Sequence, residues 1–128
     1  MIKRGLVLVS ALAFGAFTAQ AESTISPDGL KASTSAVSIG SVTADKNGYV
    51  VIHRTDVTGT LPGQVIGHAP VKAGQNAEVS VPLDKPAKAG TKLIVMLHEE
   101  GNNDTTFDTA DKPVKAAGGV VQQIVTVE

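Results

Sequence analysis

The chain has no cysteine and no tryptophan, and only one tyrosine and three phenylalanines among its 128 residues. Without cysteine there can be no disulfide, no thiolate metal site, no type 1 copper centre, no cysteine nucleophile and no lipid-modified cysteine at a cleavage site. So few aromatics, with Phe14 and Phe17 both inside an N-terminal apolar run, argue against a stacking platform for carbohydrate or single-stranded nucleic acid. Basic residues are not in excess either. The formal charge is −1, and nothing resembles the clustered basic face that a nucleic-acid partner requires.

An export signature is present at the start. Lys3 and Arg4 form a charged beginning, Gly5 to Phe17 is an apolar run, and Ala19-Gln20-Ala21 offers the small residues that a signal peptidase accepts. A signal peptide over residues 1–21 is expected, with Glu22 as the new N-terminus. The competing reading, an uncleaved anchor, needs about 20 apolar residues, more than this run supplies, and no second run of that length follows. Loss of Lys3 and Arg4 would take the formal charge from −1 to −3. The expected product is exported, periplasmic or extracellular at the cell surface, with no membrane span after signal cleavage.

Downstream of the signal, residues 22–30 read as an N-terminal lead-in and 31–128 as one domain; about 100 residues can bury an adequate core without disulfides. Ser26-Pro27-Asp28-Gly29 is a turn signal. Lys31 to Ala44, rich in Ser, Thr, Val and Ile, reads as one or two strands. Asp45-Lys46-Asn47-Gly48 reads as a hairpin turn that pairs this segment with the next one antiparallel. Tyr49 to His53 is continuously apolar, the mark of a central strand covered on both faces. Thr55 to Gly63 is a loop and Gln64 to His68 a short strand. Asn76 to Leu83 alternates, with Pro82 at a strand end or sheet edge. After a polar turn at Asp84 to Gly90 comes the most apolar strand, Thr91 to His98. Lys112-Pro113 and Gly118-Gly119 bracket a linker, and Val120 to Glu128 is the last strand.

About seven short strands with Gly, Pro and Asn turns and no helical periodicity predict an all-β fold, a single immunoglobulin-like β-sandwich preceded by a signal peptide. Beyond the signal only Tyr49 and Phe107 are aromatic, so the core must be aliphatic.

Taken together, Gly48 to His53, Val65-Ile66-Gly67, Gly90 to His98, Glu100, Phe107 and Asp111-Lys112-Pro113-Val114 resemble an uncharacterised family of exported domains found in archaeal and bacterial surface proteins. The order of these blocks, from about Ser38 to Glu128, carries the resemblance. It implies an exported β-sandwich module and no catalytic residue. Glu99 beside Glu100, and the pair Asn102 and Asn103, depart from that family's usual loop and add oxygen ligands specific to this chain.

Two groups of residues suggest chemistry. Counting from Glu100 as the first position, Asn102, Asp104, Asp108 and Asp111 follow at the third, fifth, ninth and twelfth, the spacing by which a calcium loop wraps oxygen donors around an ion. The match lacks glycine at the sixth position, a long last ligand and flanking helices, so a solvated acidic connection is the alternative. His53 and His98 each end an apolar strand. If those strands are neighbours, the two imidazoles and Met96, on the same strand face as His98, would suit copper; otherwise each histidine simply hydrogen-bonds a neighbour.

Catalysis is poorly supported. Glu99 and Glu100 point to opposite faces if the strand persists, no serine sits in a nucleophile elbow, and Gly118-Gly119 reads as a turn. The expectation is a non-catalytic binding or structural module, with a protein at the cell surface as a partner. The alternative is a periplasmic metal-binding protein using calcium or copper.

Overall fold

In the computed structural model, which describes residues 22–128, the β-branched and apolar segments all become strands, and no helix occurs among the described residues. The predicted signal peptide lies outside them. In chain order the elements are β1 (Thr24–Ile25), β2 (Lys31–Ala32), β3 (Ala36–Ala44), β4 (Gly48–Thr55), β5 (Pro62–Val71), β6 (Gly74–Pro82), β7 (Lys92–Glu99), β8 (Lys112–Pro113), β9 (Lys115–Ala116), β10 (Gly119–Val120) and β11 (Gln122–Thr126).

Two main antiparallel sheets result, beside a two-stranded one. In the first, β3 pairs with β6 along one edge and with β1 and β2 in succession along the other. In the second, the order is β11-β7-β4-β5, and β8 extends the β11 edge of β7. A parallel bridge from Ala32 to Val127 ties the two sheets at one end. Between the sheets lies a wholly aliphatic core: Val37, Ile39 and Val42 of β3 and Val81 of β6 meet Val50 and Ile52 of β4 and Leu93, Val95 and Leu97 of β7. Each such side chain contributes about 1.5–3 kcal/mol on burial, which is how a chain without disulfides holds together.

The central position expected of Tyr49 to His53 is observed, since β4 is flanked by β5 and β7. The hairpin expected at Asp45 to Gly48 is not. β3 and β4 belong to different sheets, so the turn carries the chain across the sandwich instead of folding it back in plane. The reason is burial. β4 is apolar on both faces and takes the interior of the second sheet, whereas β3 alternates and pairs with the more exposed β6. Strand β5 is also longer than expected, beginning at Pro62, because its partner β4 extends to Thr55. The linker expected after Pro113 contains a small hairpin, β9 with β10. Instead of about seven strands there are eleven elements, five of them only two residues long.

Candidate functional site

Period-two alternation gives each strand of the second sheet two faces, and those of β4 and β7 are both buried. Val50, Ile52, Leu93, Val95 and Leu97 face the core, which leaves Tyr49, Val51 and His53 of β4, and Ile94, Met96 and His98 of β7, on the outer side. The outer six are nonetheless buried, with His53 at 9 %, His98 at 7 % and Met96 at 4 % exposure. Part of their cover is the loop after β7, which folds back so that Phe107 packs edge-on against Tyr49 and His98, with centroids 5.6 and 5.3 Å away, and lies 5.2 Å from His68. Both downstream aromatics therefore serve this outer face and not the core.

Strand register explains how the histidines meet. His53 is paired with Ile94, Val51 with Met96, and Tyr49 with His98, so the two histidines stand four positions apart along the ladder, about 13 Å at strand rise. Yet their ring centroids are 5.8 Å apart and the planes lie within 25° of each other. The two side chains lean toward one another over the Val51–Met96 pair. A β-bulge in the β4–β5 ladder on either side of His53 helps aim its ring and brings the Gly63 carbonyl beside it.

Each ring is held in a defined tautomer. The Nδ1–H of His53 donates to the Gly63 carbonyl at 3.0 Å, and that of His98 to the Asp111 carbonyl at 2.8 Å. A carbonyl only accepts, so the proton sits on Nδ1, and in the neutral imidazole the Nε2 lone pair is left free. Both Nε2 atoms are buried and neither has a hydrogen-bond partner. An unpaired buried polar atom costs about 1–3 kcal/mol, and here two lie on rings whose centroids are 5.8 Å apart. Burial pushes the His98 pKa down and charge on the neighbouring His53 pushes the same way, outweighing the Asp111 carbonyl and carboxylate, so the neutral form is favoured.

The acidic loop is built differently. Glu100 accepts the Tyr49 hydroxyl through Oε1 at 2.8 Å and the Asn102 and Asp104 amides through Oε2. Asp108 accepts from Asn102 Nδ2 and the Ala110 amide, and Asp104 from the Thr106 amide. The carboxylate of Asp111, 3 % exposed as a residue, accepts the Gly101 amide at 2.8 Å and the Asp108 amide at 2.7 Å. Burial works to raise the Asp111 carboxyl, but those amides, Glu100 and the charge of His98 together bring it below the ordinary carboxylate value. Conversely, burial first and then the Glu100 hydrogen bond and negative charge push the Tyr49 phenol up to about 12. At Gly101 a side chain would overlap the Ala110 carbonyl, so only glycine lets the two ends of the loop cross there.

Of the residues singled out from sequence, His53, His98 and Met96 are thus brought together on one sheet face. Glu100, Asn102, Asp104, Asp108 and Asp111 share one loop, in which the four carboxylates accept loop donors and Glu100 also accepts the Tyr49 hydroxyl. Among the described residues no group of three or more histidine or acidic side chains is placed to hold an ion. Sequence reasoning missed the two carbonyls, Gly63 and Asp111, that fix the tautomers, because backbone acceptors leave no mark on side-chain patterns. Phe107 and Tyr49 could have been found: Tyr49 shares its parity on β4 with His53.

The fold and this site define an all-β sandwich with a buried imidazole pair on the outer face of one sheet. The chain belongs to the family described as Domain of unknown function (DUF7282), whose model matches residues 23–128. No curated protein and no solved structure matches the chain. The uncharacterised character expected from the resemblance holds for this family, which carries no activity with it.

Proposed function

We propose that this chain is an exported, non-catalytic, immunoglobulin-like β-sandwich module, periplasmic or at the cell surface, whose function is to bind a metal ion through His53 and His98. The observation that carries the reading is the pair of buried Nε2 lone pairs without a partner, each on a ring whose Nδ1–H is tied to a backbone carbonyl. Metal-ligating histidines have that arrangement, the second nitrogen fixed by a carbonyl or carboxylate so that the first is aimed and made more basic. Two imidazoles sharing an ion about 2.0 Å from each nitrogen have centroids up to about 6 Å apart, and the observed 5.8 Å fits that span. The acidic loop supports calcium less well, since its carboxylates already accept the loop's own amides and the Tyr49 hydroxyl.

The test is metal content and thermal stability. Protein exported and purified without chelators should hold about one transition-metal ion per chain, and the metal-free protein should melt lower and recover on reloading. Calcium or magnesium at about 10 mM should leave the melt unchanged. A water molecule that donates its two protons to the two Nε2 atoms is the alternative occupant. A protein that takes up no transition metal, or takes it up equally after His53→Gln and His98→Gln, would sink the proposal.

A further inference from the structure

The histidine pair also carries information about which ion it takes, an inference that rests on the metal-binding reading above. The geometry points to a monovalent copper ion held by Nε2 of His53, Nε2 of His98 and the thioether of Met96.

Charge is the first argument. Both imidazoles are neutral ligands, and the carboxylates nearby are engaged elsewhere: Glu100 with Tyr49 and two loop amides, Asp111 with the Gly101 and Asp108 amides, Glu99 with Lys46 at 3.5 Å. A divalent ion would therefore keep its full charge on a buried sheet face shared with Tyr49, Val51, Ile94 and Met96 and covered in part by Phe107. The desolvation cost of an ion scales with the square of its charge, so a dication pays about four times as much as a monocation of equal radius.

Ligand number is the second. Zinc closes a tetrahedron of four donors, and divalent copper prefers a tetragonal set of nitrogen and oxygen donors. The outer face offers two unpartnered nitrogens and one sulfur, and Phe107 packs edge-on against His98 at 5.3 Å. Monovalent copper, a closed-shell soft ion, suits a small set of imidazole and thioether donors.

Met96 is the third. It is buried at 4 %, lies one side-chain repeat from His98 on the same face of β7, and is paired across to Val51, the position over which both rings lean. In a chain without cysteine it is also the only sulfur beyond Met1. A hydrophobic contact there needs no sulfur, whereas a soft third donor does.

The experiment titrates the exported protein anaerobically with monovalent copper against bicinchoninate, and in parallel with zinc and divalent copper against a divalent chelator, then records copper X-ray absorption. One monovalent copper per chain should be withdrawn from the competitor, at least 100-fold more tightly than zinc, with nitrogen and sulfur scattering in its shell. His53→Gln or His98→Gln should remove that binding. Met96→Leu, close in volume and so safe for folding, should erase the sulfur scattering and weaken affinity about tenfold. Silver, a redox-inert stand-in, should compete. Tighter zinc or divalent copper through the same histidines would overturn the monovalent assignment while leaving the metal site standing; no binding of any of these ions would overturn both. Sulfur scattering that is absent in the wild type, or unchanged in Met96→Leu, would overturn the role of Met96.

Discussion

The two faces of the second sheet are both buried, yet they are built from different chemistry. Inward, Val50, Ile52, Leu93, Val95 and Leu97 make a core with no polar atom to satisfy. Outward, on the same two strands and one residue out of phase, Tyr49, His53, Met96 and His98 bring hydroxyl, imidazole and thioether groups into a space just as dry. A strand that only had to be stable would repeat its aliphatic inner face on the outer one. The contrast says that the inner face supplies the fold and the outer face accepts a polar cost, two unpaired nitrogens, for another purpose.

The comparison sharpens first by truncating the inner face. Leu93→Ala should lower stability by about 2–5 kcal/mol, read from the urea midpoint, because it opens a cavity in a core that cannot collapse around it. Metal uptake should survive as long as the protein remains folded. Asp111→Ala, on the outer side, should cost less globally but free the Gly101 and Asp108 amides, seen as faster hydrogen exchange at those two positions and a weakened hold on the loop that presents the carbonyl to His98. Unchanged exchange would mean that the loop is held by other contacts.

Two titrations read the outer face directly. Tyr49 is the one tyrosine in the chain, and its neutral phenol is favoured by burial and by Glu100. Its tyrosinate absorbance should appear with a midpoint of about 12, falling toward 10.0 in Glu100→Gln. Since the folded pKa is raised, the stability from this group is complete below 10.0 and is lost as pH rises toward about 12. His98 runs the other way. Its folded pKa is lowered from 6.5, so the unfolded chain takes up the proton first; stability is full above 6.5 and declines as pH falls below it. The metal-free protein should therefore lose denaturant midpoint on acidification below 6.5, and His98→Phe should flatten that dependence. The smallest effect is expected at Ile124→Thr on β11, which is 47 % exposed and should shift stability by less than about 0.5 kcal/mol.

Much of this contrast was legible in the chain. Continuous apolarity over Tyr49 to His53 and Thr91 to His98 announces strands covered on both sides, and the shared parity of Met96 and His98 puts them on one face. What could not be read was the pairing register: only the observed ladder, with Val51 opposite Met96, sets the two histidines where their rings can meet. Asp45-Lys46-Asn47-Gly48 misled because a turn motif specifies a reversal but not whether the second strand stays in the same sheet; the two-sided burial of β4 decided that. In the acidic loop the spacing matches an ion-binding loop, and what the chain did not reveal is that Glu100 and Asp111 accept backbone amides of the same loop.

The most direct test of the central claim, that two neighbouring buried imidazoles each keep an Nε2 lone pair without a partner, is the nitrogen NMR of the histidine side chains in the metal-free protein at neutral pH. His53 and His98 should both show a protonated Nδ1 and an unprotonated Nε2, and addition of one equivalent of silver should shift both Nε2 signals together while leaving both Nδ1 protons in place. A protonated Nε2 on either ring, or a shift confined to His68, would contradict the account.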